Sequence, residues 1–406
     1  MPVYDGRMRT PGRAWIAATV LFLVAGCSTG QTSPTTPAPV TPMQEAPSPL
    51  LPSPKPSTPS PEELIRQRVA AMALDQKVGQ LFIVALKQDA PVETLQPMIT
   101  GGQVGGVVLL DTGWTMDQTV STTAALTSYA AGQPGIFVAV DQEGGQVQHM
   151  NGAGFSAIPP ATAQGVMEPS DLTAQATAWG AELHQAGINL NLAPAADTVP
   201  DSMLQTNQPI ARYHRQFGSD PAQVGAHSAA FIAGMNASGV QTCVKHFPGL
   251  GYVTGNTDVT SDAITDEVTT RGDANLGAFA TAMAAGPAMV MVSSVTYAQI
   301  DPSGPAMFSP VVIGQVLRGD LGWQGVVISD TLSAKSVSAW TPGERAINFI
   351  AAGGDIALFT ELEDAQPAIA DVTAKAASDP AFAAQVDAAV ARVLLAKQAA
   401  GLLPVG

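Results

Sequence analysis

Eight short runs of apolar and β-branched residues recur along the chain, at 78–86, 106–110, 136–140, 188–192, 240–244, 288–292, 325–328 and 355–359. The stretches between them are longer and have helical composition. A strand that is apolar on both faces must be covered on both. The alternation therefore predicts a parallel sheet wrapped by helices, and eight units are what an α/β fold of the (β/α)₈ TIM-barrel type requires. The barrel is expected over residues 61–406 as one domain. Its start is marked by Ser60, a capping hydroxyl, followed by Pro61 at the first helical position and Glu63 at the third. No second proline-rich break follows.

The N-terminal part has a different logic. Arg7, Arg9 and Arg13 precede an apolar run at 14–25 that is too short to span a bilayer comfortably. The run ends in Val24-Ala25-Gly26-Cys27, small residues before a cysteine. Residues 1–26 thus read as a lipoprotein signal peptide and Cys27 as the lipidated first residue of the mature chain. An ordinary secretory signal or an uncleaved anchor is the alternative, and in either case the product is exported. Residues 27–60 are rich in Pro, Ser and Thr and cannot bury enough surface to offset their ordering entropy. They are expected to tether a domain that is lipid-anchored to the outer face of the cell membrane.

Charge and cysteine usage remove several classes. With 18 Lys+Arg against 33 Asp+Glu, the net charge of −15 excludes a generic nucleic-acid binder, which needs clustered cations. Cys27 and Cys243 are the only cysteines, so neither a disulfide framework nor a four-cysteine zinc site can be built. Polar residues stand where the apolar runs stop: Asp111, Asp141, Asp197, Lys245-His246, Ser293-Ser294 and Ser329-Asp330. In a barrel these ends share one rim, where active sites are built. Any one aspartate taken alone could equally be a helix cap; six coincidences on one face favour a concave polar site. His149, His184, His214, His227 and His246 form no His-x-His or His-Glu-x-x-His pair, and neither a metal nor a cofactor is expected. No phosphate-cradling G-x-x-x-x-G-K-[ST] or G-x-S-x-G elbow occurs. Carboxylates remain, and they suit acid/base work on a polar substrate.

Five motifs occur in order: Asp141-Gln142-Glu143-Gly144-Gly145, Gly187-Ile188-Asn189-Leu190-Asn191-Leu192-Ala193-Pro194, Arg215-Gln216-Phe217-Gly218, Lys245-His246-Phe247-Pro248-Gly249-Leu250-Gly251 and Ile328-Ser329-Asp330-Thr331-Leu332. Together they resemble the N-terminal catalytic barrel of glycoside hydrolase family 3, in its β-N-acetylglucosaminidase branch, which acts in cell-wall turnover. The resemblance implies a single catalytic domain in which Asp330 is the nucleophile of a retaining double displacement. It also implies that Asp141, Arg215, Lys245 and His246 hydrogen-bond the sugar hydroxyls. For Arg215 and Lys245, a buried ion pair with a neighbouring Asp is an alternative role, and both can hold at once.

The chain departs from that branch in one loop. Where the branch carries Asp-Ser-His, whose Asp-His dyad serves as the acid/base, this sequence has Asn256-Thr257-Asp258. Leu250 stands in place of a second histidine, and Gln146 in place of an arginine. Either Asp258 replaces the imidazole as proton donor, or the acid/base is missing or supplied by another group such as Asp262. The expected activity is hydrolysis of terminal β-linked GlcNAc from muropeptide fragments by a monomer whose partners are a small carbohydrate and, through the lipid, a membrane. The alternatives are a sugar-binding lipoprotein with weak or no turnover and a β-glucosidase.

Overall fold

The computed structural model describes residues 60–256, 260 and 264–403, all within one compact unit. Cys27 and the expected signal segment and tether, up to residue 59, lie outside the described residues, as do Asp258 and Asp262. Ser60 caps the helix Pro61–Ala71, its Oγ accepting the Glu63 N–H at 3.2 Å.

Each of the eight apolar runs holds a strand: β1 Phe82–Leu86, β2 Gly106–Leu109, β3 Phe137–Val140, β4 Leu190–Asn191, β5 Gln241–Phe247, β6 Met289–Val292, β7 Val326–Ser329 and β8 Ala357–Phe359. They pair in the order β7-β6-β5-β4-β3-β2-β1-β8, every pair parallel. The ends of this sheet meet through a bridge between Ile328 and Ile356 and the Leu332 N–H to Leu358 carbonyl bond of 2.8 Å, so the barrel is nearly closed. Helices such as Met116–Tyr129, Pro169–Gln185, Pro221–Ala237 and Leu362–Ser378 follow the strands and supply the outer cover that buried strands require.

Three boundaries differ from the expectation, each for a local reason. Residues 78–79 end the helix Leu74–Gly79 instead of opening β1. A Cβ on Gly79 would lie 1.9 Å from the Gly102 carbonyl oxygen, so only glycine allows that helix to pack so closely. β4 is short because two asparagines on alternate positions take over part of its ladder. Asn189 Oδ1 accepts the Val138 N–H at 2.9 Å, and Asn191 Oδ1 accepts the Gln142 N–H at 3.0 Å while its Nδ2 donates to the Gln142 carbonyl at 3.1 Å. β5 is longer than its apolar run and carries Lys245 and His246 inside the strand rather than after it.

At the opposite, N-terminal end of the barrel, buried Asp355 holds the Val327 N–H and Arg318 through Oδ2, both at 2.8 Å, and Arg392 Nε through Oδ1 at 2.9 Å. That end is stapled shut. Chemistry is left to the other rim.

Candidate active site

A cavity of about 830 Å³ opens at the C-terminal ends of the strands. Asp141, Arg215, Lys245, His246 and Asp330 all line it. Five of the six site residues expected from sequence are therefore brought together, and the sixth, Asp258, lies outside the described residues. Asn256, two positions before it, forms part of the cavity wall, so the departing loop begins at the site. Gln146 and Leu250 line the same wall. His149 also faces it, with Nδ1 2.8 Å from the Asp111 carbonyl. His227 is structural: its ring bridges the carbonyls of Gln223 at 2.8 Å and Met167 at 2.9 Å.

The floor of the cavity is organised by Glu143. Residues Gln142–Gly144 pair with Val147–Gln148 in a hairpin just past β3. Its turn runs through Gly144 and Gly145, both at positive φ, and a Cβ on Gly144 would come within 2.4 Å of the Pro159 carbonyl oxygen. The hairpin points Glu143 inward, where its side chain is 4% exposed. Its carboxylate takes Arg215 in a fork, Nε at 2.9 Å and Nη2 at 2.7 Å, and receives Lys245 Nζ at 2.7 Å. Lys245 also pairs with Asp141. Burial opposes ionisation of Glu143, but Arg215 and Lys245 outweigh it and hold the carboxyl well below the usual carboxylate range. Burial likewise disfavours the charge on Lys245, yet Asp141 and Glu143 push it above the ordinary lysine value. The expected pairing with a neighbouring aspartate thus holds for Lys245, whereas the partner of Arg215 is Glu143.

His246 is oriented from behind. Its Nδ1 lies 2.8 Å from Oδ2 of Asp197, a fully buried residue whose Oδ1 accepts the Leu250 N–H at 2.7 Å. An Nδ1–H donated to that carboxylate leaves Nε2 as an acceptor, 3.4 Å from Arg215 Nη2. Arg215 and Lys245 thus offer donors, and His246 and Asp141 offer acceptors, as a ring of sugar hydroxyls demands.

Asp330 follows β7 directly. Its N–H donates to the Val292 carbonyl at 2.9 Å, and its Oδ1 accepts the Thr331 N–H at 2.8 Å. Among the described residues no cation pairs with its carboxylate, which lines the cavity.

Over residues 73–396 the chain matches the glycosyl hydrolase family 3 N terminal domain. It belongs to that family. This family 3 glycoside hydrolase is 48% identical to a β-N-acetylhexosaminidase of solved structure from Beutenbergia cavernae, with a TM-score of 0.78 over 81% of this chain and 99% of the other. A family 3 β-N-acetylglucosaminidase from Paenibacillus sp. superposes with a TM-score of 0.73 at 27% identity, covering 83% of this chain and 64% of that one. A beta-hexosaminidase from Stenotrophomonas maltophilia is 35% identical over 263 residues, 63% of this chain and 76% of the relative.

Three residues that organise the cavity have no role legible in the sequence. Glu143 stands in a quoted motif, but nothing in its spacing shows that it joins Arg215 to Lys245. Asp197 stands in the sequence only as a polar strand end. Asn207 gave no signal: its buried amide donates to the Leu250 carbonyl at 2.7 Å and the Val253 carbonyl at 2.9 Å, and its oxygen accepts the Ile210 and Ala211 N–H groups at 3.0 and 2.8 Å. It ties the segment leading to Arg215 to the loop leading to Asn256.

Proposed function

We propose that the protein is a retaining β-N-acetylhexosaminidase that removes terminal β-linked GlcNAc from cell-wall muropeptide fragments, exported and tethered to the membrane through Cys27. One observation carries this reading: Asp330, free of any cation among the described residues, shares a polar cavity with Asp141, Arg215, Lys245 and His246. The names of the relatives support the choice of an N-acetylated amino sugar. In the first step Asp330 attacks the anomeric carbon, the glycosidic C–O bond breaks, and a protonated aglycone leaves. Water then opens the glycosyl ester and restores the carboxylate. Asp330→Asn should abolish turnover of an aryl N-acetylglucosaminide, and undiminished activity would exclude the assignment.

Asp258 is proposed as the proton donor, on the ground that it occupies the histidine position of a loop that starts at the cavity. An acid matters most when the leaving group is poor. Asp258→Asn is expected to slow disaccharides much more than activated aryl glycosides; equal losses on both would take Asp258 out of that role.

A further inference from the structure

The cavity has two chemically different ends. Asp141, Arg215, Lys245 and His246 lie at or after β3, β4 and β5, whereas Asp330 directly follows β7. A ring held by the first four and attacked by the last has its anomeric carbon toward β7. The aglycone, carried by that carbon, then projects toward the adjoining rim of β7, β8 and β1, on the face of the ring turned away from Asp330. Thr331, Ser333, Lys335, Thr360, Glu361 and Lys87 line that side. Its loops are tied together: the hydroxyls of Thr331 and Thr360 are 2.8 Å apart, and the Glu361 N–H donates to Ser333 Oγ at 3.2 Å.

The cations around the cavity fall into two groups. Lys87 pairs with Glu361 at 2.9 Å, Arg215 with Glu143, and Lys245 with Asp141 and Glu143. Lys335 is exposed and pairs with no carboxylate among the described residues. Its backbone is nonetheless fixed. It opens the short helical turn Lys335–Val337, in which Val337 is buried and Ser336 Oγ donates to Ser294 Oγ at 3.2 Å. On a chain of net charge −15, an unpaired ammonium anchored beside the leaving-group path is complementary to an anion.

We infer that Lys335 recognises a carboxylate on the aglycone, so that GlcNAc linked to an acidic sugar is cleaved in preference to GlcNAc linked to a neutral one. This rests on the proposed hexosaminidase reading and adds to it a specificity-determining residue. The carboxylate could be the lactyl group of a muramic-acid unit or a terminus of an attached peptide; both present the same charge.

The test compares kcat/KM of the wild type, Lys335→Ala, Lys335→Arg and Lys335→Glu on four substrates. These are N,N′-diacetylchitobiose, GlcNAc-β-1,4-MurNAc with its lactyl carboxylate free, the same disaccharide amidated there, and the peptide-bearing disaccharide. The wild type is expected to favour a carboxylate-bearing substrate over the neutral ones roughly two- to fivefold, the worth of one exposed charge pair. Lys335→Ala should bring that ratio close to one, Lys335→Arg should keep it and Lys335→Glu should invert it. A preference confined to the peptide-bearing form assigns the carboxylate to the peptide, and one confined to the free lactyl form assigns it to the sugar. An unchanged ratio in Lys335→Ala overturns the inference while leaving the hexosaminidase reading intact, as does an equal loss on all four substrates. If the wild type cleaves none of them, both fall.

Discussion

Glu143→Gln removes one negative charge from the middle of the site while keeping its shape, and the consequence can be sized from the geometry. Arg215 and Lys245 each approach the carboxylate to 2.7 Å. At an effective dielectric constant of about 20, each contact has a gross attraction of about 6 kcal/mol, from which desolvation of the ions takes back several kcal/mol apiece. Removing one partner is worse than removing all, because Arg215 then keeps its charge with no carboxylate opposite it, and water has little access to a side chain 15% exposed. The expected loss of stability at pH 7 is about 3 to 5 kcal/mol. The sign of the pH dependence follows from the lowered pKa of Glu143. Its contribution is fully present above the unfolded value of about 4.3 and shrinks as the pH falls below it, by about 1.4 kcal/mol per pH unit. Urea unfolding followed by tryptophan fluorescence at pH 7, 5, 4 and 3 measures both quantities. The gap between wild type and variant should be wide at neutrality and close on acidification. A difference under about 1 kcal/mol at pH 7, or one that widens in acid, would refute the view that Glu143 holds the two cations in place.

Two further perturbations separate orientation from support. Asp197→Asn leaves the His246 ring without its carboxylate acceptor, so KM for an aryl N-acetylglucosaminide should rise about tenfold or more, the worth of a charge-assisted hydrogen bond, with a smaller fall in kcat. A fall in kcat alone would contradict a role in sugar binding. Lys397 is fully buried, its ammonium donates to Gln80 Oε1 at 2.7 Å, and burial pushes it down to about 7. Between about pH 7 and the unfolded lysine value of about 10.4, the unfolded chain binds the extra proton, so wild-type stability should climb with pH across that window, by at most about 5 kcal/mol. Lys397→Met should be more stable than wild type at pH 6.5 and flat through the window, as urea midpoints at pH 6.5, 8 and 9.5 will show.

Much of the barrel could be read from the chain because strands buried on both faces need uninterrupted apolar residues. That signal is local and repeats eight times. Where the signal is not local, the apolar pattern is silent. β4 lost length to two asparagine side chains, and β5 gained length through Lys245 and His246, polar residues that no apolar pattern assigns to a strand interior. The floor of the cavity was readable only as a set of polar strand ends. That Glu143 rather than an aspartate takes Arg215 depends on a hairpin that brings together residues distant in sequence.

By itself the sequence determined which residue types end six of the eight strands, and therefore that acids, a lysine, a histidine and serines would share a rim. Folding decided which of them touch. The reason is energetic: a charge taken out of water must find an opposite charge or a hydrogen bond within about 3 Å, and which neighbour is that close is set by how eight strands and their loops close around one axis. Hence the pairing of Arg215 with Glu143, the backing of His246 by Asp197 and the unpaired state of Lys335 among the described residues became visible only in three dimensions.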